Sequence, residues 1–114
     1  MTLREAKAQY ALGLISTFKF STILLEVITT TTDQDEIIEI FWAIIDWEED
    51  LKTQEINIKT TTATECHFNA CNAFRANRHA PAYLRKIIQP LAKYRPLPKR
   101  LEKIYPRPQK NDTE

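Results

Sequence analysis

The segment from Asp33 to Leu51 constrains the fold more than any other part of this chain, because it is both the most apolar and the most acidic segment. At about 100° per residue, a helix gathers its large apolar side chains on one half and its acidic side chains on the other. The expected core half consists of Ile37, Ile38, Ile40, Phe41, Ile44, Ile45, Trp47 and Leu51. No lysine or arginine occurs in the segment. We therefore expect a core helix with a negatively charged outer face.

The scarcity of glycine favours helices over a meander of short strands. Glycine occurs once in 114 residues, at Gly13, whereas tight hairpin turns usually require glycine or an Asn-Gly pair. The sequence predicts an all-α fold, a compact bundle of four to five helices. We expect a single domain over residues 1–105 and a short flexible C-terminal tail over residues 106–114.

Local signals predict where the helices begin. The spacing of a capping box, in which a Ser, Thr or Asp precedes Glu by three residues, occurs at Thr2, Asp33 and Thr62. The first helix is expected to run to about Ile28, although the β-favouring residues 16–22 leave open a short extended interruption. Residues 55–62 alternate in polarity and are assigned to a loop, with a short strand as the alternative.

Prolines divide the C-terminal part of the chain. Pro81 suits the first turn of a helix, and Pro90 is expected to kink or end that helix because proline lacks a backbone donor. A last short helix is expected to bury apolar residues against the core. Its candidate anchors are Leu97, Leu101 and Ile104.

The net charge of +1 conceals an uneven distribution of charge. Residues 1–65 carry five basic and twelve acidic residues, a net charge of −7, whereas residues 66–114 carry eleven basic and three acidic residues, a net charge of +8. Such asymmetry indicates either an intramolecular electrostatic fit or two different partners. The acidic end of the 33–51 helix, with Glu48 on its apolar side, is expected to need basic neighbours.

The basic C-terminal half is the strongest functional signal. Lysine and arginine side chains neutralise phosphates, and exposed tyrosines such as Tyr83, Tyr94 and Tyr105 can stack on unpaired bases. A helix pair around Pro81 would also resemble a helix-turn-helix. We therefore predict a non-enzymatic regulatory or binding protein that contacts nucleic acid. The candidate contact residues are Arg75, Arg78, Arg85, Lys86, Lys93, Arg95, Lys99, Arg100 and Lys103.

The alternative function is a protein–protein interaction module or an inhibitor of the phage or plasmid type. Here the acidic face of the 33–51 helix would dock on a basic protein surface or mimic the charge of nucleic acid. The candidate partner-binding residues are Glu39, Asp46, Glu49 and Asp50. The sequence leaves both functions open, together with a homodimer.

The sequence argues against a metal site and against a nucleophilic enzyme. Cys66 and Cys71 are five residues apart and diverge by about 140° on a helix, which is unsuitable for one zinc ion. The adjacent Cys66 and His67 also diverge, and His79 could approach a cysteine only through the tertiary fold. We expect no catalytic residues, no metal and no cofactor.

The cysteine content and the hydropathy indicate the compartment. Two cysteines do not form a disulfide framework, so a reducing compartment is the default. No stretch approaches the ~20 apolar residues of a membrane span. We expect a soluble cytoplasmic protein without membrane contact.

Overall fold

The computed structural model describes residues 2–53, 62–88 and 97–107, and within these ranges it contains six helices and no strand. The helices are α1 (Leu3–Ala11), α2 (Thr17–Thr30), α3 (Gln34–Thr53), α4 (Thr62–Ala76), α5 (Ala82–Ile87) and α6 (Leu101–Ile104). The predicted all-α bundle is confirmed. Residues 55–61 of the predicted loop and the greater part of the predicted tail, residues 108–114, lie outside the described ranges.

The first capping box forms as predicted. The Thr2 hydroxyl accepts a hydrogen bond from the Glu5 backbone N–H at 3.1 Å, and the Glu5 carboxylate accepts one from the Thr2 N–H at 3.3 Å. Asp33 likewise precedes α3 and accepts a hydrogen bond from the Asp35 N–H at 2.9 Å. Short-range sequence signals thus determine where these two helices begin.

The expectation of one helix from Thr2 to Ile28 is wrong, because the chain turns at Gly13. Gly13 has a φ of +74°, a left-handed conformation that glycine adopts without a Cβ penalty. The Gly13 and Leu14 N–H groups donate to the carbonyls of Tyr10 and Gln9 at 3.0 and 2.8 Å, which is the Schellman pattern of a helix C-terminus. The interruption is therefore a helix corner, and residues 17–22 belong to α2.

Helix α3 lies in the centre of the bundle. The predicted core half is buried, except that Ile38 is only partly so, and Trp42, Ala43 and Glu48 are buried as well. Trp42 and Ala43 lie on the side of Asp46, where an acidic outer face is predicted. The solvent-exposed face of α3 is consequently narrower than the periodicity predicts, because other parts of the chain cover Trp42 and Ala43.

Helix α4 packs against α2, α3 and α5, and α2 also packs against α1 and α3. Hydrogen bonds from side-chain amides to backbone carbonyls join these elements at one end of the bundle. The Asn77 amide donates to Ile28 O at 2.8 Å and to Thr31 O at 3.2 Å, and the Gln34 amide donates to His79 O at 2.7 Å. These bonds hold the turn between α4 and α5 against the connection from α2 to α3.

Candidate functional site

Two of the arginines predicted to contact nucleic acid make hydrogen bonds within the protein. The Nε and Nη2 groups of Arg75 donate to Ile88 O at 3.0 and 2.7 Å. Arg85 Nε donates in return to Arg75 O at 2.9 Å. Both side chains are partly buried. These hydrogen bonds hold α5 against the end of α4, so both arginines have a structural role.

The remaining described cations of the predicted set are exposed. Arg78 lies on the turn before α5, Lys86 lies on α5, and three more cations lie on and just before α6. All five side chains are exposed: Arg78, Lys86, Lys99, Arg100 and Lys103. Lys93 and Arg95 lie outside the described residues, as does Tyr94.

Two tyrosines join α5 to the end of α6. The rings of Tyr83 and Tyr105 stack with their centroids 6.4 Å apart and their planes 28° apart, and Tyr83 is 39% exposed. Trp42 Nε1 donates to Tyr105 O at 2.9 Å, which ties this pair to the central helix. The two segments that this tyrosine pair joins both carry exposed cations, Lys86 on α5 and Lys99, Arg100 and Lys103 on and just before α6. We call this the basic surface, and it comprises Tyr83, Lys86, Lys99, Arg100, Lys103 and Tyr105.

Arg107 lies at the border of the basic surface and was not among the predicted site residues. Its Nη1 donates to Asp46 Oδ1 at 2.6 Å, its Nε donates to Glu102 Oε1 at 2.9 Å, and its guanidinium carbon lies 4.3 Å from the centroid of the Trp42 ring. Partial burial lowers the pKa of Arg107, but the hydrogen bonds and charges of Asp46 and Glu102 outweigh it and raise the pKa above its ordinary value. The guanidinium is therefore a fixed, positively charged plane.

A surface cavity of about 380 Å³ adjoins Arg107. Its apolar lining comes from α3, α6 and the residues before α6, and its charged lining holds three cations and one carboxylate. The lining residues are Trp42, Leu97, Pro98, Lys99, Leu101, Glu102, Lys103 and Arg107. A surface cavity with both apolar and net positively charged lining suits a ligand that has a flat apolar part and an anionic part.

The acidic residues of the alternative interface are spread over α3 and differ in exposure. Glu39 and Asp46 are partly buried, and Glu49 is exposed. Asp46 is bonded to Arg107, and Asp50 lies in the last part of α3. The predicted acidic face is thus partly covered by the basic half of the same chain.

A buried histidine–cysteine pair was not predicted from the sequence. Cys71 Sγ lies 3.8 Å from His67 Nδ1, and His67 Nε2 lies 3.2 Å from Ile44 O. The two residues are four apart on α4, the spacing that places side chains next to each other on a helix. That spacing is a signal for the pair, whereas the adjacent Cys66 and His67 diverge.

The environment of this pair keeps both groups neutral and inaccessible. His67 and Cys71 are 0% exposed. Burial and the nearby Glu48 charge raise the pKa of the Cys71 thiol to about 12, opposed by Arg75. Burial also lowers the pKa of His67, partly offset by its bond to the Ile44 carbonyl. A nucleophilic cysteine requires a thiolate and access for substrate, and this pair has neither.

Over the described ranges, no group of three or more histidine, cysteine, aspartate or glutamate residues is arranged to hold a metal ion. His79, the second histidine, is exposed on the turn between α4 and α5. Within the same ranges, none of the helices combines the length and the apolar character that crossing a membrane requires.

Comparison with known proteins adds no functional information. No protein-family model, no curated protein and no solved structure matches this chain. The proposed function therefore depends on the geometry and charge of the described residues.

Proposed function

We propose that this chain is a non-catalytic protein that binds nucleic acid through the basic surface. The observation that carries the proposal is the contact between Tyr83 and Tyr105, because it joins cations from α5 and from residues 99–103 into one surface. Exposed lysine and arginine side chains neutralise phosphates and release counterions. Arg75 and Arg85 are left out of the proposed interface, since their guanidinium groups bond to backbone carbonyls.

The absence of catalysis is part of the same proposal. The cysteine–histidine pair on α4 is buried and neutral, and the exposed basic and aromatic side chains of the basic surface are binding groups rather than nucleophiles. The surface would bind nucleic acid without altering it chemically, and the phosphate contacts would supply affinity and orientation.

The salt dependence of binding tests the proposal. The affinity for a generic oligonucleotide should fall between about 50 and 200 mM salt, with a slope set by the number of phosphates neutralised. Replacing Lys86 and Lys103 by glutamine should weaken binding at low salt. It should also reduce the magnitude of the slope of log K against log salt by about 0.7–0.9 for each phosphate that is no longer neutralised.

A matched control is the double variant Arg4→Gln and Lys19→Gln, which removes two exposed positive charges from α1 and α2. Its slope should stay close to that of the unmodified protein. The proposal is overturned by the absence of binding at 50 mM salt, or by equal changes of slope in the two double variants.

A further inference from the structure

The guanidinium of Arg107 is held by two carboxylates and by the ring of Trp42. Its two carboxylate partners, Asp46 and Glu102, accept hydrogen bonds from N–H groups, and these bonds lie in the plane of the group. One face is directed to the Trp42 ring at 4.3 Å. The side chain is still 41% exposed and lines a surface cavity, so a flat group in that cavity has access to the guanidinium.

A flat group stacked on Arg107 would enter the cavity that Arg107 helps to line. The volume of about 380 Å³ lies within the range of about 300–1,000 Å³ that is usual for small-molecule sites. Leu97 and Pro98 provide apolar walls, whereas Lys99 and Lys103 provide cations at the same cavity. Nucleobases stack on arginine planes in protein complexes with single strands.

Double-stranded readout finds less support in the structure. Helix α5 has only six residues, so it spans roughly 9 Å, and its Arg85 is bonded to the Arg75 carbonyl. A recognition helix presents several side chains to the major groove. A splayed single strand needs only a stacking plane and cations for the flanking phosphates, and both are present at the cavity.

We infer that the cavity at Arg107 takes one unpaired base of a single-stranded nucleic acid, with the adjoining phosphates on Lys99 and Lys103. This inference depends on the proposed function. It adds the class of nucleic acid, the position at which a base is held and Arg107 as the stacking residue.

The experiment compares three probes of roughly 12 nucleotides at one salt concentration. They are a single-stranded oligodeoxynucleotide, a strand of the same length in which every base is replaced by an abasic site, and the duplex form of the first. The single strand should bind about tenfold more tightly than the abasic strand, because stacking adds to phosphate contact. It should also bind more tightly than the duplex.

The variant Arg107→Lys keeps the positive charge and removes the stacking plane. It should reduce the ratio of affinities between the single strand and the abasic strand from about ten to near one. Pro98→Gly, which removes an apolar wall, should reduce the same ratio in part, and thermal unfolding should show that both variants fold.

The outcomes separate the inference from the proposed function. If no probe binds, both are overturned. If all three probes bind equally, or if Arg107→Lys leaves the ratio intact, base insertion is overturned while phosphate binding stands. Binding of a mononucleotide as tightly as the single strand would also overturn the inference, because the site would then be one for free nucleotides.

Discussion

The imidazole of His67 is fully buried between α3 and α4. Its ring makes a T-shaped contact with the Trp47 ring, with centroids 5.4 Å apart, and its Nε2 lies 3.2 Å from the Ile44 carbonyl. A neutral imidazole can donate its Nε2–H to that carbonyl. Its other nitrogen, Nδ1, can then accept a weak hydrogen bond from the Cys71 thiol. Protonation would place a charge in this core, and burial opposes it.

We therefore expect the stability of the fold to decrease in mild acid. The pKa of His67 is lowered in the folded protein, so below the unfolded pKa of about 6.5 the unfolded chain binds more protons than the folded one. The stabilisation that neutral His67 provides is fully present above the pKa of the unfolded state. It is lost as the pH falls through the lower pKa that His67 has in the folded protein. One such group changes the free energy of unfolding by at most about 1.4 kcal/mol per pH unit.

Urea denaturation between about pH 7.5 and pH 5 measures this effect. His67→Gln keeps an amide donor for the Ile44 carbonyl and does not titrate, so its stability should depend less on pH. His79→Gln, at an exposed position, is the control and should keep the original dependence. Glu48 and Arg75, which both act on the neighbouring thiol, are unchanged in each variant. An unaltered pH dependence in His67→Gln would contradict the prediction.

At the scale of elements, the corner between α1 and α2 shows how one residue divides a helical pattern. The apolar spacing continues across Gly13, and it predicted a single helix. The φ of +74° at Gly13 and the cap from the Ser16 hydroxyl to the Lys19 N–H at 3.0 Å end α1 and begin α2. The periodicity is the same in both arrangements, so only the backbone conformation at Gly13 separates them.

The substitution Gly13→Ala distinguishes the corner from a continuous helix by the sign of its effect. A Cβ at Gly13 would meet nothing within 4 Å, so the cost arises from the left-handed backbone and should be about 1–2 kcal/mol of destabilisation. In a continuous helix the same change would instead stabilise by about 1 kcal/mol. Thermal or urea unfolding measures the difference, and Gly13→Asn should be less destabilising because asparagine tolerates this conformation.

The starts of α1 and α3 and much of the buried face of α3 could be predicted, because their signals are local. The buried residues of α4 include Cys66, His67, Ala70, Cys71 and Phe74, which recur at the three- and four-residue intervals of one helix face. The covering of Trp42 could not be predicted, because it depends on Tyr105 and Arg107, more than sixty positions along the chain. The apolar periodicity of a single helix gives no information about contacts between residues that lie so far apart in the sequence.

At the scale of the whole molecule, the two oppositely charged halves meet at a definite place. Arg107 from the basic half bonds to Asp46 from the acidic half, as the intramolecular alternative anticipates. The five exposed cations of residues 78–103 remain at the surface. The molecule therefore combines internal charge pairing with an external cationic surface, and Asp46 lies next to the border between the two.

Because of this position, neutralising Asp46 distinguishes binding of nucleic acid by the basic surface from docking of a protein partner on α3. Asp46→Asn removes a negative charge beside the basic surface and loosens one bond of Arg107. The pair is about half exposed, so the loss of stability should be small, at most about 1 kcal/mol. Affinity for the abasic strand, which measures phosphate contacts without base stacking, should rise by about two- to fivefold at low salt, and the gain should vanish near 1 M salt, where the Debye length is about 3 Å.

Asp35→Asn is the matched control, because it removes the same charge at the exposed N-terminal end of α3. It lies eleven residues from Asp46, roughly 16 Å along the helix, beyond the Debye length of about 10 Å at 0.1 M salt. Its effect on affinity should therefore be small. If α3 instead docks on a basic protein partner, Asp46→Asn should weaken that complex and leave oligonucleotide binding unchanged. An affinity that stays constant or falls in Asp46→Asn, relative to Asp35→Asn, would contradict the assignment of the basic surface as the phosphate-binding site.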